Sequence, residues 1–179
     1  MTPLEVALKG IAAGMASALV LTVATVVAQR LTRRARRPAT RAPAGLTPGW
    51  ILREGPSTPP DLVGATATFV QKLATGLFGR SLSRGQQLWA GTAWHLAYGG
   101  WWGMLYGIIR ASVEVPDVVA GPVWGVVVWL IGPVWLVPKM RLMLSIPQQR
   151  LIVAVAVFAA HLAFGTVVAF AFAYMARTA

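Results

Sequence analysis

His95-Leu96-Ala97-Tyr98-Gly99 returns, almost letter for letter, as His161-Leu162-Ala163-Phe164-Gly165. The chain has 2 histidines, and both sit in these pentapeptides, inside long apolar runs that hold no acidic residue. An imidazole surrounded by hydrocarbon is costly, so each needs a polar partner or a functional role. The recurrence predicts two helices of like construction.

The rest of the chain sets the solvent for those helices. Of its 179 residues, 56% are hydrophobic and 12% charged, whereas a soluble domain carries about 25% charged residues. That deficit and the long apolar runs point to a membrane protein. There is no cysteine, which excludes disulfides, thiol chemistry and thiolate metal sites. The net charge is +11, from 16 Lys+Arg against 5 Asp+Glu. In a soluble protein such an excess would suggest nucleic acid. Here it reads as basic loops held in the cytoplasm beside anionic phospholipid head groups, with no nucleic-acid partner.

Four apolar segments are long enough to span a bilayer: residues 4–28, 86–109, 118–137 and 151–175. In the first, Gly10, Gly14 and Ala18 recur every four residues, a stripe that admits a close neighbour. A signal peptide is the competing reading of this segment, since Val26-Val27-Ala28 loosely resembles a cleavage site. Charge argues against it, because an arginine cluster follows the segment rather than preceding it. In the second, Gly91, His95, Gly99, Gly103 and Gly107 share one spacing of four, with Trp89 placed for the cytoplasmic interface and Tyr106 for the outer one. The third carries Gly121 and Gly125, then Gly132-Pro133, where the missing proline N–H predicts a kink and a freed carbonyl near Trp129. Between the second and third, a short loop holding Glu114 and Asp117 makes them antiparallel neighbours.

Residues 29–58 form a basic loop rich in proline and alanine. Arg30, Arg33, Arg34, Arg36, Arg37 and Arg41 lie close together in it, as a topology determinant or as a contact for anionic lipid. Pro59-Pro60-Asp61 then reads as a helix start. Residues 60–78 place Leu62, Val63, Thr66, Phe69, Val70, Leu73 and Leu77 on one face, with Gln71, Lys72 and Thr75 off it. That pattern predicts an amphipathic helix on the cytoplasmic surface. Ser83 is an N-cap candidate for the next helix. All basic residues except Lys9, Arg110 and Arg177 fall in the two loops assigned to the cytoplasm, which puts both termini outside.

The predicted fold is therefore all-α: four transmembrane helices as two parallel hairpin repeats, plus one cytoplasmic amphipathic helix. The repeats should be related by an axis along the membrane normal. His95 and His161 lie about nine and eleven residues into their spans, which at about 1.5 Å per residue puts both near mid-membrane. Gly91, Gly99, Trp102 and Tyr106 flank His95, and Ala154, Val157, Gly165, Val168 and Phe172 flank His161. Glycine permits close helix packing and a lipid-facing imidazole loses hydrogen bonds, so both faces should turn inward. Gly10, Gly14, Gly91, Gly99, Gly103, Gly121, Gly125 and Gly165 are the expected helix-packing positions.

Thr58-Pro59-Pro60 before an amphipathic segment, Trp94 to Gly107 with its His-x-x-Tyr-Gly-x-x-x-Gly core, Gly121 to Pro138, and Ala160 to Phe172 together resemble the YagU-like bacterial inner-membrane proteins of unknown function. The resemblance covers most of residues 59–175. It implies a four-span fold in the bacterial inner membrane and brings no reaction with it.

Three functional readings compete over the polar set His95, His161, Tyr98 and Tyr106. Two histidines at matched depth invite a bis-imidazole haem site. They also suit a proton or small-solute pathway extended by Tyr98, Thr92 and Thr166. Otherwise they tie helices together in a small scaffold or accessory protein, which acts in a homo-oligomer or beside a membrane partner. There is no nucleophile with a base, no intramembrane acid pair and no metal motif, so an enzyme is not expected. Two imidazoles alone make an incomplete metal set.

Overall fold

The computed structural model describes residues 1–35, 62–140, 146 and 151–178. Helix α1 runs Pro3–Ala35, α2 Leu62–Phe78, α3 Arg84–Arg110 and α4 Asp117–Trp129. A π-helical segment, Leu130–Leu136, leads directly into the short α5, Val137–Lys139, and α6 is Leu151–Arg177. No strand occurs among the described residues.

Local chemistry sets several of these boundaries. Thr2 and Glu5 cap α1 reciprocally, the Thr2 N–H donating to Glu5 Oε2 at 2.7 Å and the Glu5 N–H to Thr2 Oγ1 at 3.2 Å. The same device starts α3, where Ser83 Oγ accepts from the Gln86 N–H and Gln86 Oε1 from the Ser83 N–H. Gly79, at φ +62°, ends α2 in the left-handed region that glycine enters without steric cost. The first helix outlasts its expected end. It continues through Arg30, Arg33 and Arg34 to Ala35, because arginine and alanine favour helix as strongly as apolar residues do. Arg36, Arg37 and Arg41, the remainder of the basic loop and Pro59-Pro60-Asp61 lie outside the described residues.

Among the described residues, three stretches are long and apolar enough to cross a membrane: Pro3–Val27, Asp117–Lys139 and Leu151–Arg177, with mean hydropathies of 2.0, 1.8 and 2.4. Helix α3, of 27 residues, is uncharged between Arg84 and Arg110 but is not among them. Its glycines, tryptophans and tyrosines lower its hydropathy.

The proline in α4's continuation lies in a rearranged stretch of helix. Around Gly132 and Pro133 the backbone shifts to five-residue spacing, and the Val137 N–H reaches the Gly132 carbonyl. A single widened turn of this kind redistributes the bonds a proline removes.

Helices pack as antiparallel pairs, α1 on α3 and α4 on α6, with α1 also lying along α6 and α2 along α3. Backbones almost touch within each pair. A methyl group on Gly10 would stand 2.5 Å from the Gly103 carbonyl oxygen, and one on Gly103 would stand 2.6 Å from the Gly14 Cα. In the other pair, a methyl on Gly121 would meet the Thr166 Cα at 2.8 Å and one on Gly125 the Leu162 Cα at 2.8 Å. Only glycine permits such approach, which converts small side chains into dispersion contact along both helices.

The two seams between the pairs are unlike. Along α1 and α6, Ala13, Ser17 and Ala18 meet Phe164, Val168 and Ala169, and Ser17 and Val168 are wholly buried. Between α3 and α4 the space is filled by rings. Trp102 and Tyr106 both stand edge-on to Trp124, at 5.7 and 5.8 Å between centroids, and Tyr106 continues to Phe172 at 5.9 Å.

Candidate functional site

The two histidine faces turn toward one another. Helix α3 brings His95, Tyr98, Gly99 and Trp102 to a cavity of about 60 Å³, and α6 brings Ala160, His161 and Phe164 to the same space. Ala18 and Leu21 of α1 and Val128 of α4 complete the lining. His95, His161 and Tyr98 thus share one chamber.

The ring state of His161 follows from its surroundings. Its Nδ1 lies 2.7 Å from the Val157 carbonyl oxygen, one helical turn back. A carbonyl oxygen accepts only, so Nδ1 carries the proton and Nε2 is the acceptor of the neutral ring. Tyr98 reaches across to the π-helical segment, where a methyl on Gly132 would stand 3.2 Å from its hydroxyl oxygen. The widened turn and the tyrosine therefore meet beside the cavity.

Tyr106 does not join this chamber. A tyrosine near a helix end reads as an interfacial residue, yet Tyr106 is 3% exposed and packs between Trp124 and Phe172. Its hydroxyl has no partner among the described residues, and neither do the indole N–H groups of Trp102, Trp124 and Trp129. Beyond Tyr106, Arg110 donates from Nε and Nη2 to Asp117 Oδ1 at 3.3 and 3.2 Å and from Nη1 to the Val113 carbonyl. Arg177 approaches the other carboxylate oxygen at 3.8 Å, so Asp117 links the ends of α3, α4 and α6.

Every glycine expected at a packing position lies against a neighbouring backbone or side chain, with a different division of partners. Gly10, Gly14, Gly99 and Gly103 join α1 to α3, and Gly121, Gly125 and Gly165 join α4 to α6. Gly91 instead receives α2, since a methyl there would stand 2.9 Å from the Ala67 backbone nitrogen. Phe69 of α2 stacks on Trp94 at 4.7 Å, which holds the amphipathic helix on α3. Its residues Leu77 and Phe78 stay exposed.

Two residues of consequence were not singled out by sequence reasoning. Ser17 lies on the Gly10/Gly14 face and bonds across to α6, and Trp124 stands on the corresponding face of α4. The signal was available in each case, as a lone polar residue and a lone large one on a face of small residues.

The chamber is too small for a haem. Cofactor and ligand sites run to about 300–1,000 Å³, and the surrounding Leu21, Val128 and Phe164 leave no slot for a macrocycle. No group of three or more metal-ligating side chains occurs among the described residues. What the arrangement offers is a small, mostly apolar pocket with two imidazoles and a phenol on its wall. No family model, curated protein or solved structure matches the chain.

Proposed function

We propose that the protein is a four-span inner-membrane scaffold or accessory protein of the YagU-like kind, in which a paired-histidine chamber ties two helical hairpins together. Helix α3 serves as the fourth span. It lies antiparallel along α1 from Gly99 to Gly107, and its 27 residues would extend about 40 Å, beyond the roughly 30 Å of hydrocarbon. Both termini face the periplasm, and the arginine-bearing end of α1 meets anionic head groups on the cytoplasmic side.

The observation that carries the reading is how the chamber is built. Matching His95 with His161 also matches Gly99 with Gly165 and Gly103 with Ala169. Gly14 touches Gly99 and Gly103, while Gly121 touches Gly165 and Ala169, so Gly14 corresponds to Gly121. Leu21 then corresponds to Val128. His95 and His161, Tyr98 and Phe164, and Leu21 and Val128 are three corresponding pairs, and all six residues line the chamber. A pocket lined by matched pairs sits on the axis relating two parallel repeats. With His161 Nδ1 bonded within α6, its Nε2 and the His95 ring are the groups through which hydrogen bonding would join the hairpins.

Proton flux through liposomes holding the purified protein tests this reading. A scaffold conducts no more than empty liposomes do. Flux that disappears when both histidines become leucine would replace it with a proton pathway.

A further inference from the structure

We infer that the histidine chamber binds a small uncharged molecule of two or three heavy atoms that carries an N–H or O–H donor, and that this molecule enters only from the end of the bundle where α1 stops and α3 and α6 begin. The inference rests on the scaffold reading and deepens it, since a ligand held there forms the bridge between the hairpins.

Burial gives the chamber a direction. On α1, Ala18 is buried and Leu21 half-buried. On α3, Gly99 and Trp102 are buried, whereas His95 and Tyr98 are half-buried. On α6, Phe164 is buried, whereas Ala160 and His161 are half-buried. In all three helices exposure rises toward the same end. The other end is shut. There the backbones of α1 and α3 meet at Gly14 and Gly103, those of α4 and α6 meet at Gly121 and Gly165, and Trp102 stands edge-on to Trp124. The glycine stripe of α3 does not carry this closure further, because Gly91 receives α2 rather than α1. In the topology proposed above, the open end is cytoplasmic.

The wall selects the occupant. None of the residues lining it is acidic or permanently charged, so an ion would lie uncompensated among apolar side chains. A wholly apolar molecule would leave the imidazoles without hydrogen bonds. His161 donates its one N–H to the Val157 carbonyl, which leaves Nε2 to accept. A neutral His95 offers one donor and one acceptor nitrogen. A ligand that donates to His161 Nε2 and accepts from His95 satisfies both rings.

Volume limits its size. An apolar cavity of about 150 Å³ holds benzene, with its six carbons. On that scale about 60 Å³ admits two or three heavy atoms. A primary amide supplies a donor and an acceptor within three, and Leu21, Val128 and Phe164 exclude anything much larger.

Formamide is the probe. The full chain, labelled with nitrogen-15 at histidine, is placed in lipid bilayers and titrated with it. A ligand of three heavy atoms binds no tighter than about 1 mM, so the His161 Nε2 signal should shift saturably in the millimolar range. Ala160→Leu fills the open side without altering either imidazole and should weaken binding by about tenfold or more, and the milder Ala160→Val should weaken it in part. Ala159→Leu, at the exposed neighbouring position, should leave it unchanged. In a chain without cysteine, Ala160→Cys should react with an impermeant thiol reagent from the side opposite to both termini. The inference is overturned by the lack of a saturable shift, by a shift that survives both Ala160→Leu and Ala160→Val, or by an Ala160→Cys that does not react from that side. Each of these results leaves the scaffold reading to its own measurement of transmembrane flux.

Discussion

Ser17 Oγ donates a 2.9 Å hydrogen bond to the carbonyl oxygen of Phe164, 147 residues away in the sequence. The bond joins α1 to α6 and is buried. It therefore links the two helix pairs rather than the members of one pair. Being short and β-hydroxylated, serine lets the helices close while still supplying a polar contact.

That bond should be measurable. Ser17→Ala keeps the fit and loses the donor, so it should cost about 0.5–1.5 kcal/mol. Ser17→Val adds volume at a site with 0% exposure, and overpacking should cost about 1–3 kcal/mol. Equilibrium unfolding in mixed micelles checks both. Equal stability of Ser17→Ala and the parent would show that the bond contributes nothing.

Glycine substitutions should differ in sign by location. A methyl on Gly14 would stand 2.9 Å from the Gly103 Cα, against backbone that cannot step aside. Gly14→Ala should therefore destabilise by about 1–3 kcal/mol or more. Nothing lies within 4 Å of the corresponding position on Gly76 in α2, so Gly76→Ala should stabilise by roughly 0.5–1 kcal/mol through helix propensity alone. Melting temperatures of the two variants should move in opposite directions.

How far the fold was legible follows from these cases. A repeat of four marks one helix face, so the glycine stripe could be read directly. It does not say which helix lies opposite, and Gly91, in the same stripe as Gly99, meets α2 rather than α1. Gly132-Pro133 announced a disturbed backbone, but the five-residue spacing it takes could not be read from those residues alone. The inward turn of the histidines followed from the cost of polar groups in hydrocarbon. Tyr106 drew two expectations, an interfacial anchor and an inward face shared with His95, and its burial against Trp124 agrees with the second. Apolarity counts leave α3 out, since glycines, tyrosines and tryptophans score low whether they are buried, as Trp102 and Tyr106 are, or exposed, as Trp89 and Trp101 are.

The histidines should be coupled. His95→Leu and His161→Leu should each cost about 0.5–2 kcal/mol if they act as interhelical contacts. Because they share one small cavity, the double variant should cost measurably less than the sum of the singles. Strict additivity in a double-mutant cycle would mean that the two rings act independently.

Topology provides a fourth check. Cysteines placed at positions 2 and 178 of this cysteine-free chain should react with an impermeant thiol reagent in intact cells, given the basic loops on the opposite side. Protection of both positions would invert the orientation.

The unlike seams bear on how such a molecule could be assembled from halves. Two copies of the α1–α3 hairpin would bring serine to both seams, and each would face the indole of Trp102 instead of Val168. Two copies of the α4–α6 hairpin would set Trp124 against Val168 twice over, with no hydroxyl to bridge them. Each half carries one smaller seam residue and one large one, and only the pairing of unlike halves sets small against small and ring against ring. A symmetric dimer of either half would lose that complementarity, so fusion into one polypeptide is what guarantees that unlike halves meet.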